Sequence, residues 1–286
     1  MPMPMPTPMP IQTVFFLSDY GTQDEFVGVV HAVLHAASPG LTIIDLTHQI
    51  PVFDVRAGAD ALSRAVPHVG PGVVLAVVDP GVGSDRRGVC LEVAPGGRAG
   101  PACFVGPDNG LLVEAAEHAG AGPVARAFVL RPAGQGGPRT FDGRDLFAPA
   151  AAALCRGMRP EELGDPIDPR SLVRLARRTV AIEKLADGRR SLRAEVSWVD
   201  RFGNVQLAAT TSVAGSGELP VTGRLDLTIG TALRTTVRRV GAFAELAPGE
   251  LGLLVDGNGH WAIVAGEASA AHALDVEVGE IVVLTW

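Results

Sequence analysis

The chain has 286 residues, a formal net charge of −7 and 19% charged residues. That length accommodates two domains. The acidic balance offers no clustered Lys and Arg for a sequence-independent hold on nucleic acid, since Arg177-Arg178 and Arg238-Arg239 are too short. No apolar run approaches the roughly 20 residues that span a bilayer.

Residues 1–10 alternate Met and Pro almost throughout, a low-complexity opening with no positive n-region. They read as a disordered tail outside the fold. Cys90, Cys103 and Cys155 lack metal spacing and cannot all pair, so they read as the reduced thiols of a cytoplasmic protein. The histidines are few and scattered, with no H-E-x-x-H run, and no metal site is expected.

Val14 to Leu17 is a short buried strand closed by Ser18-Asp19-Tyr20-Gly21. Thr22 precedes Glu25 by three, a capping-box spacing that starts a helix carrying Phe26, Val29, Val30, Val33 and Leu34 on one face. Asp19 thus sits on a strand-to-helix loop. There a short carboxylate either forms the turn or accepts hydrogen bonds from a vicinal diol such as a ribose presents. Leu41 to Leu46 is the next strand, and Asp54 caps a helix through Val66.

Val73 to Val78 reads as a strand buried on both faces, ended by Asp79-Pro80-Gly81, with Arg86 and Arg87 in the loop beyond. The carboxyl ends of strands in an open α/β sheet are where ligands bind. Asp79 and Arg86 could therefore hold a water between opposite charges; they could equally be a turn former and a solvated ion pair. Val89 to Val93 and Ala102 to Val105 are strand-like. Asp108 or Asn109 is expected to cap a helix from about Leu111 to His118. Phe128 to Leu130, a Gly-rich loop over 133–139 and the run Thr140 to Pro149 lead into an alanine-rich helix ending at Cys155. This alternation predicts an N-terminal α/β domain over residues 11–178, with a mainly parallel, helix-covered sheet.

Past an expected linker from Asp165 to Arg178, helical periodicity almost vanishes. Strands are expected over 179–185, 191–199, 205–208, 224–229, 233–238, 252–255, 261–264 and 280–284. Residues 179–286 should be a smaller all-β domain, a barrel or sandwich. Within it, Asp200, Phe202 and Asn204 share one tight turn, which by composition is also plain hairpin chemistry.

Acidic and amide groups on loops thus dominate the candidate site. There is no phosphate cradle, because Gly81-Val82-Gly83 lacks both a G-K-[ST] and a third glycine. There is no G-x-S-x-G nucleophile elbow either. A neutral or cationic ligand bearing hydroxyls, attacked by activated water, suits what remains.

The chain resembles the S-adenosyl-L-methionine (SAM) hydroxide adenosyltransferases, adenosine-forming SAM hydrolases related to the fluorinase and chlorinase. The likeness rests on Phe16 to Gly21, Asp45-Leu46-Thr47-His48, Val78 to Gly83, Gly106 to Leu112, Thr140 to Pro149 and Val199 to Val205, six motifs in order. It implies hydrolysis of SAM to adenosine and methionine, with no cofactor and no membrane partner. It also implies a homotrimer that binds SAM between the N-terminal domain of one subunit and the C-terminal domain of its neighbour. By this resemblance Asp19 holds the ribose hydroxyls and Phe53 lies beside the nucleoside. Asp200 and Asn204 match polar residues that grip the methionine end and the adenine, and Phe202 in the same turn is a further substrate-binding candidate. Asp79 and Arg86 match two members of an Asp-Arg-His set that activates water.

The third member differs. The family's F-H-G-R-D run reads Phe141-Asp142-Gly143-Arg144-Asp145 here, so Asp142 stands for the histidine and would form a coupled carboxylate pair with Asp79. The near-C-terminal loop also departs: where the family tends to have a serine before the glycine and an acid after it, this chain has Gly257 and Ala262, with Asn258 and His260 nearby. Gly257 and Asn258 are the substrate-binding candidates there. Two alternatives remain at this point: a 5′-halogenating enzyme, and a SAM- or nucleoside-binding module without catalysis.

Overall fold

The computed structural model describes residues 12–94, 100–132, 139–212, 219–220, 222–230 and 233–286. The tail over 1–10 and most of the Gly-rich loop lie outside them. Two compact units divide between Leu175 and Ala176.

The first unit is built from β1 (Thr13–Ser18), α1 (Phe26–Ala37), β2 (Thr42–Thr47), α2 (Val55–Ala65), β3 (Val73–Val77), β4 (Gly88–Glu92), β5 (Cys103–Pro107), α3 (Val113–Gly120), β6 (Arg126–Leu130), α4 (Ala148–Cys155), α5 (Pro160–Leu163) and β7 (Gly164–Ile167). The strands form one sheet in the order β2-β1-β3-β5-β4-β6-β7. β2, β1, β3 and β5 are mutually parallel, and β4, β6 and β7 extend the sheet antiparallel.

Why this sheet is covered on both sides follows from the two-residue period of a strand. Phe16, Val73, Leu75 and Val77 pack with Val30 and Leu34 of α1 and Ala151 and Leu154 of α4. Their neighbours Phe15, Leu17, Val74 and Ala76 point the other way, into a core with Leu62 of α2 and Ala115 and Ala116 of α3. The parallel register pairs Leu17 with Ala76 and Ser18 with Val77. It therefore brings the loops that carry Asp19 and Asp79 out at the same end of adjacent strands.

Three local expectations are corrected. The Thr22/Glu25 capping box does not form: α1 begins with Glu25 at the N-cap and no side-chain cap, while Thr22 Oγ1 accepts from Gln49 Nε2 at 3.4 Å. Neither Asp108 nor Asn109 caps α3, whose N-cap is Leu112. Asn109 instead spans the end of the central strand, donating from Nδ2 to Val78 O at 2.8 Å and accepting from Leu111 N at 3.2 Å. Asp108 accepts from Val173 N at 2.9 Å and from Arg87. Part of the expected linker is strand β7, which pairs with β6 through Gly164–Ile167. The Asp54 cap does form, accepting from Ala57 N at 2.8 Å.

The second unit comprises β8 (Val180–Lys184), β9 (Arg190–Val199), β10 (Val205–Thr210), β11 (Arg224–Ile229), β12 (Leu233–Arg239), β13 (Leu251–Val255), β14 (His260–Ala265), α6 (Ala270–Leu274) and β15 (Ile281–Thr285). Strand order runs β10-β14-β13-β12-β11-β15-β9-β8, and β10 pairs back onto β9. Seven strands thereby close a barrel. The ten-residue β9 makes this possible: Ser191–Glu195 pairs with β15 and Val196–Val199 with β10, while β8 adds to the free part of the edge that β10 uses. Closure removes exposed sheet edges and encloses a core that includes Leu192, Val196, Leu207, Leu227, Ile263 and Leu284.

Candidate active site

At the end of the central strand, the turn from Asp79 to Ser84 is tied by Ser84 N to Gly81 O at 3.1 Å and Ser84 Oγ to Gly81 O at 2.6 Å. Ser84 Oγ in turn accepts from Arg86 N at 3.3 Å. This folds the chain back so that Arg86 meets Asp79 seven residues earlier. Arg86 Nε donates to Asp79 Oδ1 at 2.8 Å and Oδ2 at 3.0 Å, and Nη2 also reaches Oδ2.

Asp142 arrives from the other side, at the start of a π-helical turn over Gly143–Phe147 that leads into α4. Its Oδ2 accepts from Arg86 Nη2 at 2.6 Å and from Arg139 Nη2 at 3.1 Å. One guanidinium therefore joins two carboxylates. The side chains of Asp79, Asp142 and Arg86 are only 6%, 5% and 10% exposed, a setting in which charges interact far more strongly than at a solvated surface. Arg86 also lies over the Phe147 ring, 5.1 Å from its centroid. Burial works against its charge, but the hydrogen bonds and charges of Asp79 and then Asp142 outweigh that and raise its pKa. Arg86 Nη1 is buried and makes no hydrogen bond among the described residues, a donor that polar matter in the site would satisfy.

Tyr20, to which sequence reasoning assigns no role, belongs to this group. A Cβ at Gly143 would collide with its hydroxyl, so the glycine after Asp142 is what admits the phenol. Its ring packs edge-on against Phe141 and lies against Phe26. Burial first, then the negative charges of Asp19, Asp79 and Asp142, push its pKa well above the ordinary tyrosine value. A tyrosine near a strand end is an ordinary core residue by pattern, and only the packing of Gly143 exposes the connection.

Asp19 and Phe53 are also brought together, since Asp19 Oδ2 accepts from Phe53 N at 2.9 Å. Phe53 sits at φ +66° and is 66% exposed. A bulky residue held in the left-handed region is strained, and such strain gathers at functional sites.

In the barrel unit, a cavity of about 420 Å³ is lined by Asp200, Asn204, Gly257 and Asn258 together with Trp198, Phe243, Gln206 and Asp256. Phe202 is not among its lining residues and is 73% exposed. Asp200 closes its own turn, accepting from Phe202 N and Asn204 N at 2.9 Å each and from Asn204 Nδ2 at 2.8 Å. Asp256 accepts from Asn258 N at 2.8 Å, His260 N at 2.9 Å and Gln206 Nε2 at 2.6 Å. Gln206, itself buried, accepts in turn from Ser197 Oγ at 3.1 Å. Sequence reasoning missed Gln206 and Asp256, because a glutamine within a strand and an aspartate before Gly-Asn carry no distinguishing pattern.

The histidines are less scattered than they read: His31, Asp45 and His48 converge in space. No described helix is long and apolar enough to cross a membrane.

An α/β unit with a buried Asp-Arg-Asp group and a β-barrel unit with a polar cavity define a two-domain protein equipped for polar small-molecule chemistry. The chain belongs to the SAM hydroxide adenosyltransferase family, whose N-terminal domain model matches residues 14–164 and whose C-terminal domain model matches residues 194–283. It is 42% identical over 272 residues to an (R)-S-adenosyl-L-methionine hydrolase of Salinispora tropica, covering 95% of this chain and 97% of that one. A fluorinase of Nocardia brasiliensis is more distant, at 28% over 298 residues, covering 93% of this chain and 94% of that one. Among solved structures, an uncharacterized conserved protein from Thermotoga maritima superposes with a TM-score of 0.83 at 30% identity, covering 95% of this chain and 99% of that one.

Proposed function

We propose that the chain is an adenosine-forming SAM hydrolase in which Asp79, Arg86 and Asp142 activate water against C5′ of the ribose. The observation that carries this mechanism is the Arg86 guanidinium bridging two nearly buried carboxylates while its Nη1 stays unbonded among the described residues. Nη1 is the donor that holds the attacking water, and Asp79 and Asp142 take its proton. The new bond is O–C5′. The C5′–S bond breaks with its electron pair going to sulfur, and the sulfonium leaves as the neutral thioether of methionine. One water is consumed and one proton released to solvent. The leaving group needs no acid, so the reaction as written calls on no cofactor.

In-line positioning supplies about 7–11 kcal/mol to such a step, and a proton acceptor about 10²–10⁴-fold. Asp19 and Phe53 hold the ribose and nucleoside face. Asp200, Asn204, Gly257 and Asn258 receive the methionine end and adenine, with Phe202 beside them. Asp142 places a carboxyl group where the family pattern has an imidazole.

Halogenation is the weaker reading. The more distant fluorinase likeness is consistent with that ranking, and a buried pair of carboxylates repels a halide. A binding module without catalysis is also disfavoured, because the hydrolase relative matches over nearly the whole chain. A sulfonium is a stereocentre, and that relative's name specifies the R epimer; we infer the same preference here. We infer further that the protein works as a cytoplasmic homotrimer with its active sites at subunit interfaces. Light scattering that reports a mass other than three chains would overturn the trimer.

The experiment for the reaction is incubation with each resolved SAM epimer, with adenosine and methionine followed by chromatography. Stoichiometric release of both, faster from the R epimer and abolished in Asp79→Ala, is the expected result. Intact SAM after long incubation, or product that appears only with added halide, overturns it.

A further inference from the structure

His31 on α1, Asp45 on β2 and His48 just beyond β2 bring two imidazoles and a carboxylate to one point. His31 Nε2 lies 2.9 Å and His48 Nε2 3.0 Å from the same oxygen, Asp45 Oδ1, and the three atoms fall within 4.8 Å of one another. None of the three belongs to the Asp79–Arg86–Asp142 group.

The state of His48 is what points to a ligand. Its side chain is only 5% exposed, and its Nδ1 lies 2.7 Å from Ser18 Oγ. Its Nε2 is buried and forms no hydrogen bond among the described residues, despite its closeness to Asp45. When Nδ1–H donates to the serine hydroxyl, Nε2 carries a lone pair that confronts a carboxylate oxygen. Two acceptors that close are reconciled either by a proton on Nε2 or by a metal cation between them, and the convergence of His31 on the same oxygen favours the metal. A histidine whose second nitrogen is held by a hydroxyl or carboxylate is also the usual orientation for metal ligation.

We propose that His31, Asp45 and His48 bind one divalent transition-metal ion of the zinc class. Two imidazoles and one carboxylate suit such an ion, whereas calcium and magnesium favour all-oxygen sets. Tetrahedral bonds of about 2.0–2.1 Å place ligand atoms about 3.3 Å apart. The two spacings to Asp45 Oδ1 therefore need to open by only a few tenths of an ångström, while the two imidazole nitrogens settle at a similar separation from within 4.8 Å. His31 and Asp45 are 30% and 40% exposed, which leaves the outer side open for water as the remaining ligand. The ion ties α1 to the ends of β1 and β2. Gly21 N already donates to His48 O at 2.8 Å, so the ion braces the loop that carries Asp19 and Tyr20 without touching the reacting atoms.

The test uses the full chain, stripped with chelator and titrated with Zn²⁺ and with Co²⁺. Calorimetry measures stoichiometry, and the visible cobalt spectrum reports coordination. One equivalent per chain is expected. Asp45→Asn and His31→Ala should weaken binding by at least the roughly 10–100-fold that loss of even an outer-sphere partner costs. His35→Ala, one turn further along the same helix and exposed, should bind as the parent does. Both ligand variants alter partly exposed side chains, so circular dichroism of the apo forms should match the parent, and the buried His48 need not be altered. Absence of saturable uptake, or uptake indifferent to both ligand variants, overturns the site. The readout is metal rather than product, so the outcome is independent of the hydrolase reading.

Discussion

Two carboxylate-rich regions, one in each unit, are built on different physics. In the α/β unit Asp79 and Asp142 face guanidinium groups and are charge-compensated. In the barrel unit Asp200 and Asp256 are satisfied by backbone N–H groups and side-chain amides, and none of the described residues lining that cavity is a lysine, arginine or histidine. Charge-paired carboxylates in a dry setting can exchange a proton and stabilise developing charge. Carboxylates consumed by their own turns hold the shape of a pocket and offer only what lone pairs remain. The first region is suited to the reaction and the second to recognition.

Removing the cation should break this contrast most severely. Arg86→Met leaves two buried carboxylates short of their shared partner, which costs about 3–5 kcal/mol of stability. Because the proposed water donor goes with it, turnover should fall by at least the 10²–10³-fold expected for loss of one preorganised donor, roughly 3–4 kcal/mol. Denaturant melts and single-turnover product assays measure the two separately. A variant that melts like the parent would show that the ion pairs add nothing, and the distinction between the regions would lapse.

The barrel pocket should respond differently and less. Gln206→Leu cuts the Ser197–Gln206–Asp256 chain and leaves Asp256 with its backbone donors alone. A buried partner left unsatisfied costs about 1–3 kcal/mol. If that loss weakens substrate binding and transition-state binding alike, KM rises about 5–150-fold with kcat nearly unchanged. Steady-state kinetics on SAM decides this. A fall in kcat at constant KM would place chemistry in the barrel unit and reverse the assignment.

How far these regions could be read from residues alone depended on whether the signal was local. The β3 strand and the barrel strands were legible, because a buried or alternating run announces itself within six residues. β7 was not: Gly164-Asp165-Pro166-Ile167 has the composition of a turn, and only pairing with β6 makes it a strand. Helix starts misled wherever a capping side chain was drawn to a distant partner, as Asn109 is to Val78 O. Asp79 and Arg86 were legible because they share one loop. Tyr20, Gln206 and the His31–Asp45–His48 group were hidden, because each depends on neighbours that are remote in the chain.

The smallest effect tests whether the electrostatic character of the α/β site reaches its neighbours. Tyr20 is the only tyrosine in the chain, so absorbance of tyrosinate near the red edge of the protein band reports it alone. Burial and the three surrounding carboxylates raise its pKa above the ordinary 10.0. Native protein should therefore show no tyrosinate at pH 10–11, whereas unfolded protein titrates near the ordinary value. The sign for stability follows from linkage: with the folded pKa above the unfolded one, Tyr20's contribution is fully present below about pH 10 and is lost as pH rises toward the folded pKa. Tyr20→Phe removes this alkaline loss while lowering turnover only modestly, because the phenol adjoins the reacting groups without exchanging their proton. Half-ionisation of native Tyr20 near pH 10 would mean that the negative field of Asp19, Asp79 and Asp142 does not extend to it. The α/β site would then be electrostatically closer to the barrel pocket than the ion pairs suggest.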